Sequence, residues 1–195
     1  MDYIGLSCGF HDAAVSVIDS AGNIVFAGHS ERYSRHKHDD SLCKSIIVDA
    51  LQYTNDYEIH YYERPWLKYL RQLVAGQSPS LGNLNVKNII GSSTMQLLGN
   101  NKVHTHNHHL SHAAAGFQTS PFDDATVVVI DAIGEFDTIT IWHAEYDNDT
   151  GRAKYKKLWA QNYPNSIGLF YSAMTSRVGL RPLDEEYILM GMAAY

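Results

Sequence analysis

The sequence predicts an α/β fold, a mixed sheet with flanking helices, on three observations. Short β-branched runs separated by turn residues crowd the first thirty positions. Segments with apolar residues at helical spacing come next, and a second round of strand-like runs and one more helical stretch then follow. With 195 residues, 45% of them hydrophobic and 18% charged, the chain has the composition of a globular protein and enough length for one substantial core.

Residues 3–7 are short and apolar, and Cys8-Gly9-Phe10-His11-Asp12 makes a tight turn. Residues 13–18 read as a β-branched strand, residues 19–23 as a turn, and residues 24–27 begin a third strand. Strands joined by turns this short predict an antiparallel meander. A glycine in the first turn allows backbone N–H groups to approach an anion. Leu42, Ile46, Ile47, Ala50 and Leu51 then recur at helical spacing, with Ser41 as N-cap. Residues 57–62 form a strand, and an amphipathic stretch around Trp66, Leu67, Leu70 and Leu73 follows Pro65. Residues 77–85 are predicted as an exposed loop and residues 88–98 as one helix.

Five of the 11 histidines fall within residues 104–112, just before a helix of small residues at Ala113-Ala114-Ala115. Neutral imidazole is the commonest protein ligand for borderline transition metals. His108 and His112 are four apart, so on a helix they share one face, one turn apart. A solvated polar loop or a polar helix cap would also account for the cluster. His109 points to another face, where it would support the site or touch substrate, and His104 and His106 are predicted as loop residues.

Residues 125–131 read as a buried strand ending in the carboxylate of Asp131, a third potential ligand. Ala132 to Asp137, containing Gly134 and Glu135, turn the chain into an alternating strand over residues 138–142. Strand resumes after a turn at 146–151 and runs to about residue 161. Residues 166–178 form a helix with Leu169, Phe170, Ala173 and Met174 on its apolar face. Residues 186–195 end in an apolar segment, as expected of a fragment. Two rounds of strand–turn–strand with acidic or Gly-rich turns are the layout of a ribonuclease-H-like lobe, whose strand tips line a ligand crevice.

A net charge of −6 argues against a general nucleic-acid or membrane-surface binder. Arg32, Arg35 and Lys37 are few enough to suit a phosphate group, although a solvated face paired with Glu31 and Asp39 explains them equally. Two cysteines fit a reducing compartment. No run approaches the roughly 20 apolar residues of a membrane span, and no signal-peptide pattern is present, so a cytoplasmic location is expected. No motif sets an oligomeric state.

Four stretches together resemble the carbamoyltransferase family that includes nodulation-factor and aminoglycoside O-carbamoyltransferases. They are Gly9-Phe10-His11-Asp12-Ala13-Ala14-Val15, residues 30–39, His108-His109-Leu110-Ser111-His112-Ala113 with residues 131–135, and residues 166–172 with Glu186-Tyr187 and Met190-Gly191. Tyr61-Tyr62-Glu63-Arg64-Pro65 also fits. The resemblance implies a fold of the actin/hexokinase/Hsp70 superfamily, related to the tRNA threonylcarbamoylation enzymes, with this chain as the N-terminal portion.

It also implies a divalent metal, iron first and Mn or Zn as alternatives, held by His108, His112, Asp131 and an aspartate from further along a full-length enzyme. The metal is expected to hold a phosphate and polarise the carbamoyl carbonyl. A later domain makes carbamoyl-adenylate from carbamoyl phosphate and ATP, and the carbamoyl group passes to a hydroxyl of a sugar or natural product. By the same resemblance His11 contacts the carbamoyl group or deprotonates the acceptor, its alternative being a turn residue bonded to Asp12. Gly9, Asp12, Gly134, Glu135, Arg35 and Lys37 are the candidate nucleotide or carbamoyl contacts. One departure is Ile188, which follows Glu186-Tyr187 where the family carries lysine. A threonylcarbamoylation-like enzyme and a metal-binding fragment without turnover are the competing expectations.

Overall fold

In the computed structural model, which describes all residues Met1–Tyr195, the chain divides into two compact units, Met1–His108 and His109–Tyr195. Each unit has its own sheet.

In the first unit β1 (Asp2–Ser7), β2 (Ala14–Ile18) and β3 (Ile24–His29) pair antiparallel in chain order, as the short turns require. There follow α1 (Ser30–Ser34), α2 (Lys44–Ala50), β4 (Tyr57–Tyr61), α3 (Pro65–Val74), a single 3-10 turn (Leu81–Leu84), α4 (Val86–Ile90), α5 (Ser92–Leu97) and β5 (Val103–Thr105). β4 pairs parallel with β1, and β5 parallel with β4. The sheet is therefore mixed, in the order β3-β2-β1-β4-β5. Alternation places Ile4, Leu6, Val15, Val17, Ile59 and Tyr61 in one buried cluster with Ile46 and Ile47 of α2 and Ile90, Met95 and Leu98 from the α4–α5 region. Cys8 is buried in this core, and burial, aided by the nearby Glu63 charge, pushes its thiol up to about 12.

Several expectations need correction here. Ser41 is not a cap: its hydroxyl donates to the Asp40 carboxylate, and α2 starts three residues later with Cys43 at the N-cap. The helix expected over residues 88–98 is two helices, because Gly91 adopts φ +91° and breaks the chain between them. Asn85 caps the first of these, accepting from the Lys87 N–H. α1 and β5 are too short to show a period, and sequence reading passes over them. On α3 the apolar stripe faces outward: Trp66, Leu70 and Leu73 are exposed, whereas Arg71 is buried.

The second unit contains α6 (His108–Gln118), whose first residue closes the preceding unit, then β6 (Asp124–Gly134), β7 (Asp137–Tyr146), β8 (Ala153–Asn162), α7 (Ile167–Arg177) and α8 (Glu186–Met192). The three strands form an antiparallel sheet in chain order. β6 is an edge strand rather than the fully buried one expected, and it continues three residues beyond Asp131. Val129 packs with Ala113 and Trp142, while Val128 and Ile130 on the alternate face are exposed.

α7 reverses its predicted face. Phe170, Ala173 and Met174 are exposed and Leu169 half-buried, whereas Gly168, Ser172 and Thr175, spaced at one helical stripe, turn inward. The reason is close approach: a Cβ on Gly168 would lie 2.6 Å from the Ala132 backbone. Only small side chains fit at that distance. No helix of the chain is long and apolar enough to cross a membrane.

Candidate metal centre

Helical spacing sorts the histidines of α6 by burial. His109, Ala113 and Phe117, each four residues apart, form the buried stripe. His109 Nδ1 lies 2.9 Å from Thr140 Oγ1, to which Trp142 Nε1 also donates at 2.7 Å. His109 is therefore a core residue of the second unit, and of the two roles expected for it, supporting the site or touching substrate, its full burial leaves no surface for the second. The neighbouring stripe carries His108, His112 and Gly116.

The two-residue period of β6 puts Val127, Val129 and Asp131 on one face. His112 and Gly116 of α6 and residues 127–131 of β6 line a cleft of about 270 Å³. His108, the first residue of α6, joins His112 and Asp131 in offering one ligand atom each, all within 4.8 Å of one another. Bonds from first-row ions to imidazole nitrogen and carboxylate oxygen are about 2.0–2.2 Å, so two donors on one ion lie at most about 4.4 Å apart, and a small approach of these side chains would let them share one. Two imidazoles and one carboxylate, with positions left open, form a donor set suited to Fe, Mn or Zn. The Asp131 carboxylate is oriented locally, because the Ala132 N–H donates to its Oδ1 at 2.6 Å.

In the first unit His108 Nδ1 lies 3.3 Å from Oε2 of Glu63, a carboxylate that is itself 2% exposed. Lys68 Nζ donates to the other oxygen at 2.7 Å. Burial alone would push the Glu63 carboxyl up, but the His108 hydrogen bond and the Lys68 cation outweigh it and hold it below the usual range. Glu63 was not among the expected site residues. The only sequence signal for it is its place in the Tyr61-Tyr62-Glu63-Arg64-Pro65 stretch.

The turn after β1 holds Gly9 at φ +84° and Asp12 at φ +48°. His11 Nδ1 lies 2.9 Å from Asp12 Oδ2, and His38 Nδ1 lies 3.4 Å from Oδ1. Partial burial works against the Asp12 charge, but its bonds to His11 and then His38 lower its pKa overall. The Gly9 N–H donates to the Asp40 carbonyl and the Ala13 N–H to that of Asp39. The loop carrying Arg35 and Lys37 thus packs on the first turn, and the Gly9 N–H is already engaged. Arg35 is the left-handed C-cap of α1, and both it and Lys37 are exposed. Arg32 lies 3.8 Å from Glu31, the pairing expected of a solvated face.

Gly134 and Asp137 pair across the β6–β7 hairpin, leaving Glu135 and Phe136 as its two-residue connection. Glu135 is buried there at φ +60°. His104 lies on β5 rather than in a loop, and His60 Nδ1 is 2.7 Å from His106 Nε2. Asp124, His143 and Glu145 also bring donor atoms within 4.8 Å of one another, on a more exposed part of the β6–β7 pair.

A family model described as the carbamoyltransferase N-terminus matches residues 46–195. The chain is 32% identical to an uncharacterised protein (sll1178) of Synechocystis sp. over 219 residues, covering 98% of this chain and 34% of that protein. It is 28% identical to the nodulation protein NolNO of Sinorhizobium fredii over 196 residues, covering 95% of this chain and 28% of that protein. The chain thus spans about a third of the length of these relatives.

Proposed function

Because the chain belongs to the carbamoyltransferase N-terminus family, we propose that it supplies one wall of an O-carbamoyl-transfer site, built on a ribonuclease-H-like framework of the actin/hexokinase/Hsp70 type. The observation that carries this reading is the convergence of His108, His112 and Asp131 within 4.8 Å.

His108 and His112 would hold a divalent ion through imidazole nitrogen and Asp131 through a carboxylate oxygen, iron being the first choice and Mn or Zn the alternatives. When bound, such an ion supplies a positive charge that polarises an oxygen ligand. The reaction is attack by an acceptor hydroxyl of a sugar or natural product on the carbamoyl carbon of carbamoyl-adenylate. The new C–O bond forms as the bond to the phosphate oxygen breaks and AMP leaves.

His11 takes the hydroxyl proton at Nε2. Asp12, bonded to Nδ1 at 2.9 Å, orients the ring. Gly134 and Glu135 at the β6–β7 turn, and Arg35 and Lys37 on the loop packed against the first turn, are the candidate contacts to the adenylate.

Elemental analysis of the full-length protein tests the reading. Wild type should retain about one equivalent of metal, and the His108→Ala/His112→Ala double variant should lose it while remaining soluble. Equal metal content in the two proteins would refute the site.

A further inference from the structure

An imidazole that binds a metal through one nitrogen needs that nitrogen bare, and the hydrogen bond at the other nitrogen decides which one is bare. His108 has a partner for this task far away in sequence. Its Nδ1 lies 3.3 Å from Glu63 Oε2, and the two residues are 45 positions apart. The Glu63 side chain is only 3% exposed. A carboxylate so buried must be compensated, and Lys68 Nζ at 2.7 Å from Oε1 provides the charge. The lysine also pins the carboxylate plane, leaving Oε2 directed at the imidazole. Tyr62 and His108 meet in a T-shaped contact, with centroids 5.1 Å apart, which limits rotation of the imidazole.

We propose that Glu63 is a positioning residue of the metal site, accepting the Nδ1 proton of His108 so that Nε2 is the bare, ion-facing nitrogen. The proposal rests on the reading of His108 as a ligand. Lys68 is the second member of the device, holding the Glu63 carboxylate in place through Oε1. Outer hydrogen bonds of this kind are worth roughly 10–100-fold in metal affinity.

Two measurements on the whole chain test it. The first needs no metal: long-range ¹H–¹⁵N correlation spectra at pH 7.5 report the ring tautomer of His108. The Nδ1–H form is expected in the unaltered chain, and a predominant Nε2–H form would overturn the assignment. The second titrates cobalt(II) chloride, followed by the visible d–d absorption. Glu63→Gln should bind cobalt about 10–100-fold more weakly, with an altered band, whereas Glu63→Asp should recover part of the affinity. Equal affinity and an identical spectrum for wild type and Glu63→Gln would overturn the positioning role while leaving the metal site intact. Failure of the full-length protein to bind cobalt would overturn the ligand reading itself, and the tautomer result would still decide whether Glu63 accepts from His108 Nδ1.

Discussion

The Ser166 hydroxyl donates to the Ala132 carbonyl at 2.7 Å, one residue beyond the candidate ligand Asp131. The same hydroxyl accepts from the Leu169 N–H at 3.0 Å, so the N-cap of α7 also ties down β6 next to its carboxylate. Gly168 completes the contact through its missing side chain.

Removing either part should loosen this end of the strand. Ser166→Ala is expected to cost about 1 kcal/mol of stability, the usual worth of a side-chain N-cap. Gly168→Ala should cost about 1–3 kcal/mol, because its methyl would meet backbone rather than a flexible side chain. Urea unfolding followed by tryptophan fluorescence measures both. A Gly168→Ala variant as stable as wild type would show that α7 stands off from β6.

The two donor groups that include a β6 carboxylate should behave differently. Asp131→Asn removes an anionic ligand and should lower metal retention by tenfold or more, while His143→Ala should leave it unchanged. His143 Nε2 and Asp124 Oδ2, 3.0 Å apart, meet on an exposed part of the β6–β7 pair, where competition with water makes the contact weak. Equal loss of metal in the two variants would place the ion elsewhere.

Acid should weaken the first unit through its imidazoles. Burial first, then the neighbouring rings, lowers the pKa values of His60 and His106, with Glu58 opposing this at His60. The folded state therefore binds fewer protons than the unfolded chain below the ordinary histidine value of 6.5. Stability is expected to be complete above that pH and to fall as pH drops through it towards the lowered folded-state values. A His60→Gln/His106→Gln variant should show a flatter dependence between pH 6.5 and 5. An unchanged slope in thermal unfolding across that window would argue against the pair as its source.

Gly91 holds φ +91° and ψ 142° between α4 and α5, a region that side chains enter only under strain. Gly91→Ala should cost about 1–3 kcal/mol, although a methyl there would meet open space. Denaturant midpoints check it, and a neutral outcome would mean that the chain relaxes into one continuous helix.

Most of the first sheet was legible because its meander is local: alternating residues and turn chemistry specify β1 to β3 within thirty positions. The pair His108 and His112 was legible for the same reason, since helical spacing is written in adjacent residues. Glu63 was not, because its bond to His108 spans 45 positions and no local period marks it. The face of α7 was misread through a single assumption, that the more apolar stripe packs inward. Gly168 shows why it fails: where a helix lies nearly on a strand, steric fit selects small residues over greasy ones.

The parallel pairing of β1 with β4 joins Asp2 to Tyr57, whereas the β6–β7 hairpin closes between Gly134 and Asp137. Closing the longer span takes more chain entropy before any contact rewards it. On a ribosome the two sheets would therefore mature on different clocks. The leading sheet is complete only once β5, near position 105, has emerged, while the trailing one assembles from neighbours almost as soon as they appear.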